Sequence, residues 1–289
     1  MRVLVAGSRG LIGTALVTAL SGAGHEVRRL VRGGGRYSWD PPAGRIDEHA
    51  VEGVDAVINL CGAPLTQRWS AARKQVILDS RIEPTEVLAE IVAERGIPAL
   101  INASAVGYYG DTGDTVTDES SPHGQGFLAG LCVAWEAATK PAARAGARVV
   151  HLRTGLVLSG RGGLLGALKP LFQLGLGGRI GDGGQYLPWI SLRDEIEAIR
   201  FLVEHETLSG PVNLCGPEPV TNAEFTRALG HALHRPAPWR VPSLALRFAL
   251  GEMADEMALV SQRVVPGVLE RAAYPFRDTT LESALAAEL

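Results

Sequence analysis

Val3-Leu4-Val5-Ala6-Gly7-Ser8-Arg9-Gly10-Leu11-Ile12-Gly13 decides the fold of this chain. Four apolar residues read as a buried strand, and the glycines follow where a strand must turn into a helix. The first glycine allows a tight turn, the second lets the backbone approach a diphosphate, and the third permits close packing of the helix beginning near Leu11. Such a helix aims its free amides at an anion. The alternative is a tight turn with no ligand, and with 35 glycines in the chain only the setting between strand and helix gives the pattern weight. The predicted dinucleotide contacts here are Gly7, Ser8, Arg9, Gly10, Leu11, Ile12 and Gly13.

Working outward, short apolar runs recur at Val3 to Ala6, Val27 to Val31, Ala56 to Leu60, Ala99 to Ala103 and Val149 to Leu152, separated by stretches of helical period. Alternation of strand and helix predicts an α/β fold of Rossmann type, a doubly wound parallel sheet with helices on both faces, because each parallel connection needs a crossover. After about residue 160 glycines and prolines break up the chain. Helical patterns at Thr221 to Leu233, Leu244 to Val260 and Thr280 to Leu289 suggest a small, mostly helical lobe. The predicted division is a nucleotide-binding domain over 1–160, joined by a further strand or helix from 190–216, and a substrate lobe over 161–289.

Composition narrows the partners. The 289 residues carry a net charge of -3, which argues against nucleic acid, and no apolar run of about 18 residues suggests a membrane span. Cys61, Cys132 and Cys215 are too widely spaced for a metal or redox motif. With no signal-peptide pattern at the start, the expectation is a cytoplasmic protein that acts on a small molecule, binds no metal and is compatible with a homodimer.

Cofactor choice is read at the end of the second strand, where a carboxylate would hold the ribose hydroxyls of NAD. The chain has Arg32 there, with Arg28, Arg29 and Arg9 near in sequence, so a 2′-phosphate has cationic partners and NADP(H) is the expected cofactor. The alternative for Arg32 is a solvated surface arginine.

The opening stretch resembles the extended short-chain dehydrogenase/reductases. Asn59-Leu60-Cys61-Gly62-Ala63, Gln67-Arg68-Trp69, Asp79-Ser80-Arg81-Ile82, Ser104-Ala105-Val106-Gly107-Tyr108-Tyr109-Gly110 and Pro188-Trp189-Ile190 are similar to an atypical branch labelled "epimerase family". Gly251-Glu252-Met253-Ala254-Asp255 and Ser261-Gln262-Arg263-Val264 resemble the carboxyl-terminal domain of unknown function that accompanies it, here within 234–289. The resemblance implies that Leu60, Cys61 and Gly62 lie beside the adenosine and that Arg81 faces the cofactor, with Gln75 and Val157 as further contacts. A surface ion pair with Glu83 or Asp79 is the other reading of Arg81.

Short-chain reductases of this kind use a tyrosine as acid or base, with a lysine four residues later that lowers its pKa. The residues four after Tyr37, Tyr108, Tyr109, Tyr186 and Tyr274 are Pro41, Thr112, Gly113, Ile190 and Asp278, so the pair is absent. Leu128 and Cys132 stand at the corresponding positions, and helical spacing adds Glu136 to their stripe. The remaining candidates for proton transfer are Tyr109, Tyr108 and Ser104, although Ala105 occupies the usual serine position. Gln185 and Trp189, beside the glycine-rich run 176–185, are predicted substrate contacts, and Trp189 reads equally well as core. Two functions follow: an NADP(H)-dependent oxidoreductase or epimerase-like enzyme on an unknown carbonyl or hydroxyl, or a non-catalytic NADP(H)-binding redox sensor or scaffold.

Overall fold

The computed structural model describes residues 1–289. The apolar run at the start forms β1 (Arg2–Ala6), whose Val3, Leu4, Val5 and Ala6 have no exposed surface. It lies inside an eight-stranded sheet with β2 (Glu26–Arg32), β3 (Ser38–Asp40), β4 (Arg45–Ile46), β5 (Ala56–Asn59), β6 (Ala99–Ala105), β7 (Arg148–Thr154) and the strand Gly210–Leu214. From edge to edge the order is Gly210–Leu214, β7, β6, β5, β1, β2, β3, β4. The β1–β2, β1–β5, β5–β6 and β2–β3 pairs are parallel and β3–β4 is antiparallel. All five predicted strands are present. The short pair β3 and β4 was not read from the sequence because Ser38-Trp39-Asp40 has no apolar run, and Trp39 alone is buried there.

The crossovers are α1 (Leu11–Gly22), α2 (Glu48–Val51), α3 (Ala71–Arg95) and α4 (Phe127–Ala137). Ser70 caps α3 by accepting a hydrogen bond from the Arg73 N–H, and Gly96, left-handed at φ 61°, ends it. Burial of Val87, Leu88, Ala89 and Val92 against Leu4, Val57 and Leu100 builds the core on that face.

Two compact units interleave along the chain. One comprises Met1–Ser104, Leu131–Leu152 and Ile196–Pro211; the other comprises Ala105–Gly130, Arg153–Glu195 and Val212–Leu289. The sequence expectation was a first domain over 1–160 joined by a strand or helix from 190–216. The chain instead changes unit near the carboxyl ends of β6 and β7 and inside Gly210–Leu214, because successive strands of a parallel sheet deliver their following loops at the same edge. The second unit has its own core of Leu158, Leu165, Phe172, Trp189, Phe225 and Leu285, with Leu281 and Ala284. No helix is long and apolar enough to cross a membrane.

Candidate functional site

In the first unit, the turn after β1 has the geometry that diphosphate binding needs. Gly7 adopts φ 79°, and a β-carbon there would lie 2.6 Å from the Leu60 backbone. A β-carbon on Gly13 would overlap the Gly7 carbonyl, so the first turn of α1 sits tightly against the loop. Gly10 is exposed, with only the Gly7 carbonyl near its missing side chain, at 3.5 Å, so its backbone faces open space. Leu11 and Ile12, both partly buried, open α1, whose amino end has no side-chain cap and keeps its amides available. These features fit a dinucleotide.

The arginines divide sharply. Arg28 is buried and donates to the His49, Ala50 and Glu52 carbonyls, which makes it a brace for α2 and the residue that follows it. Arg29 is exposed and leans over the turn, with 3.4 Å contacts to the Ser8 hydroxyl and carbonyl. Arg9 and Arg32 are exposed, and the Arg32 charge acts on the Cys61 thiol across the sheet edge. The Cys61 thiol is nevertheless pushed up to about 12 by burial, so it is neither a thiolate nor a base. No carboxylate ends β2.

The Leu60-Cys61-Gly62 loop is held from beneath. The Cys61 N–H donates to Asn59 Oδ1 at 3.1 Å and the Ala63 N–H to Ser80 Oγ at 2.9 Å. Arg81 donates to the Ala63 and Ile77 carbonyls and lies 5.2 Å from the Trp135 ring. Burial pulls its pKa down to about 10. Arg81 therefore shapes the loop and pairs with neither Asp79 nor Glu83. Gln75 is exposed and its amide donates to Asp79.

Ser104 ends the first segment of this unit. Its hydroxyl donates to Glu136 Oε1 on α4 at 2.7 Å, and Glu136 Oε2 lies 3.6 Å from His151 Nδ1 on β7. The residue beyond the Leu128 and Cys132 positions of the helix stripe is thus a partly buried carboxylate on the predicted serine. Sequence reasoning placed Glu136 on that stripe without a role, and nothing in the spacing could bring in His151 from another strand.

In the second unit, Tyr109 is 2 % exposed and its hydroxyl donates to Asn213 Oδ1 at 2.7 Å and accepts from Arg153 Nη1 at 2.9 Å. Burial pushes the phenol up to about 12, which makes it a still poorer base than an ordinary tyrosine. Tyr108 is partly buried, with the Arg153 guanidinium 3.5 Å from its ring centroid. Arg153, itself 3 % exposed, went unnoticed in the sequence because a strand-end arginine carries no local signal. The two tyrosines are organised around it as a packed cluster.

The carboxyl-terminal motif holds this cluster. Gln262 Nε2 donates to the Val106 and Gly110 carbonyls at 3.0 Å, Thr112 N–H to the Ser261 carbonyl, and Thr117 N–H to the Arg263 carbonyl. Glu256 accepts from the Phe127 and Leu128 N–H groups at 2.8 and 2.9 Å and so caps α4. Two predicted substrate contacts must be revised. Trp189 is 1 % exposed, packs with Phe225 and Leu285, and donates from its indole to the Glu218 carbonyl, so it is core. Gln185 is buried and its amide donates to the Ala258 carbonyl, which ties two loops together. Val157 pairs with Ile190 in a short parallel ladder, partly buried.

Comparison with known proteins agrees with this architecture. Residues 3–215 match the family described as "NAD dependent epimerase/dehydratase family", and residues 241–288 match a domain of unknown function. An epimerase family protein of Mycobacterium bovis is 56% identical over 288 residues, covering 98% of this chain and 96% of its own length. The crystal structure of the human epimerase family protein SDR39U1 with NADPH superposes with a TM-score of 0.91 at 34% identity, over 100% of this chain and 99% of the other. A structure of the nucleoside-diphosphate sugar epimerase from Corynebacterium glutamicum gives 0.84 at 39% identity, over 100% of this chain and 58% of that one.

Proposed function

The chain belongs to the NAD-dependent epimerase/dehydratase family, and from that premise we propose that it is an NADP(H)-binding oxidoreductase or epimerase-like enzyme, acting on a small-molecule carbonyl or hydroxyl without the usual tyrosine and lysine pair. The observation that carries the cofactor choice is the triad of exposed cations, Arg9, Arg29 and Arg32, around a glycine turn with no carboxylate at the end of β2. A 2′-phosphate would meet charge-assisted donors there, and the ribose hydroxyls of NAD would meet no acceptor. The human relative crystallised with NADPH supports the same choice.

When bound, the nicotinamide would exchange hydride with the substrate, and the chain would supply position and proton. The turn and the amides of α1 would hold the diphosphate, and the loop at residues 60–62 would lie against the adenosine. Proximity of substrate to a positioned cofactor supplies much of the rate without a tyrosine. The missing pair also favours a second reading, a non-catalytic NADP(H)-binding sensor or scaffold.

Fluorescence titration tests the cofactor choice. NADPH is expected to bind at least about tenfold more tightly than NADH, a difference of about 1.4 kcal/mol, and Arg32→Ala should erase most of that preference. Equal affinities in the wild type, unchanged in Arg32→Ala, would rule out this cofactor assignment. Oxidation of bound NADPH is then followed against aldehydes, ketones, enones and quinones. Turnover of any of them supports the enzyme; none, together with unequal affinities for NADPH and NADP+, selects the sensor.

A further inference from the structure

We propose that Ser104, Glu136 and His151 form a proton relay that takes the place of the absent tyrosine and lysine pair; the inference rests on the enzyme reading above. Ser104 is the penultimate residue of β6, at the carboxyl end of the sheet, the edge at which ligands bind in folds of this class. Its hydroxyl hydrogen is committed to Glu136 Oε1, at 2.7 Å, which leaves the Ser104 oxygen lone pairs as acceptors. Glu136 lies on α4 one turn beyond Cys132, where the family helix carries its lysine position.

The hydrogen bonds behind Glu136 fix the tautomer of His151. Thr139 Oγ1 has one hydrogen, and it is donated to the Glu136 main-chain carbonyl at 2.7 Å. Toward His151 Nε2, 3.0 Å away, the same hydroxyl oxygen is therefore an acceptor, and Nε2 carries the ring hydrogen. The other nitrogen, Nδ1, faces Glu136 Oε2 at 3.6 Å. At that separation the ring, when protonated, makes an ion-pair contact with the carboxylate and not a hydrogen bond. Ser104 is 4 % exposed, whereas the His151 side chain is 16 % exposed. The row thus runs from a buried hydroxyl at the sheet edge to a ring with access to water.

In the direction of alcohol oxidation, the substrate O–H bond breaks and its proton forms a new bond to Ser104 Oγ. The original Ser104 O–H bond breaks in the same event and its proton goes to Glu136 Oε1, while the substrate C–H hydrogen would leave with its electron pair as a hydride, which bound NADP+ would accept. Carbonyl reduction is the reverse. Ser104 is the group that meets the substrate, Glu136 accepts the proton that Ser104 passes on, and His151 is a positioning residue that acts through Glu136. Charged or titratable groups near Glu136 include His151 on β7 and Cys132 one turn earlier on its own helix, which couples to the charge of Arg81 on α3.

Two measurements on the NADP-loaded protein test this. Nitrogen-detected NMR of the histidine ring should show the hydrogen of the neutral His151 ring on Nε2, and in Glu136→Gln its titration midpoint should fall by about one pH unit, since the carboxylate facing the ring is gone. On any substrate turned over in the panel, Ser104→Ala and Glu136→Gln should each lower kcat by about a hundredfold or more with NADPH affinity unchanged, and Glu136→Asp should restore part of the loss. Glu136→Gln should also remove one limb of the kcat pH profile. A folded Glu136→Gln protein with wild-type kcat, or with an unmoved His151 titration, overturns the relay while leaving the enzyme reading intact. If the wild type turns over nothing, the enzyme reading and the relay fall together.

Discussion

Glu195 stands in the first turn of the helix Leu192–Glu204 with no exposed surface. Its Oε1 accepts from the Thr154 hydroxyl at 2.9 Å, and its Oε2 has no partner. Burial raises the carboxyl from its ordinary 4.5 to about 8. Below pH 4.5 the folded and unfolded chains both hold this proton. Between 4.5 and about 8 only the folded chain holds it, so stability falls as pH rises, by about 1.4 kcal/mol per unit from this group alone. Glu195→Gln keeps the Thr154 bond and removes the charge. Urea unfolding at pH 5, 6.5 and 8 should show the variant losing this slope and becoming the more stable protein at pH 8; a slope equal to wild type would show that Glu195 ionises freely. The same tension between residue type and surroundings separates Arg28 from Arg29. They are neighbours in sequence and alternate across a strand, so one is buried among carbonyls and the other reaches the glycine turn.

At the scale of elements, α3 is joined to β5, β6 and α4 by one buried hydroxyl. Thr85 Oγ1 accepts from Asn59 Nδ2 at 2.9 Å and from the Trp135 indole at 2.9 Å, and it donates back along its own helix to the Arg81 carbonyl. Asn59 also donates to Asn102 Oδ1 at 2.8 Å. Pro84 precedes Thr85 and removes one helix donor, so the side-chain network secures the helix where its backbone ladder is interrupted. Thr85→Val preserves shape and strands two buried donors, for a loss of about 3 kcal/mol in chemical denaturation. Thr85→Ser should stay within about 1 kcal/mol of wild type, since it keeps the hydroxyl. Indifference to Thr85→Val would mean that water replaces the hydroxyl. None of this network could be read along the chain, because its members lie on four elements and each is unremarkable alone.

At the scale of the whole molecule, the carboxyl-terminal segment is part of the second unit's core. Leu281, Ala284 and Leu285 are buried with Leu158, Phe172 and Trp189, and Gln262 holds the backbone around Tyr109. A chain ending at residue 240 exposes that core and frees the tyrosine loop. It should be insoluble or lose the cooperative thermal transition seen by circular dichroism, and a soluble, cooperatively melting fragment would show that the second unit folds without its last 49 residues. The parallel sheet, its first five long strands and the glycine turn were legible in the sequence, because each depends on a local period or on a conformation only glycine adopts cheaply. Trp189 was not legible as core, since the pattern around it fits a cleft wall equally well and only Phe225 and Leu285 from distant segments decide the matter.

The sequence by itself determined the doubly wound fold, the diphosphate turn, the arginine in place of the ribose carboxylate, and the absence of the tyrosine and lysine pair. These are properties of residues close together along the chain. The tertiary structure decided which side chains stand together around the predicted proton donors. Tyr109 is locked to Asn213 and Arg153, whereas Ser104 meets Glu136, which in turn faces His151, from a helix and a strand that lie 32 and 47 residues further on. Proton transfer depends on separations of about 3 Å, and such separations between remote residues exist only once the sheet has brought its strand ends to a common edge.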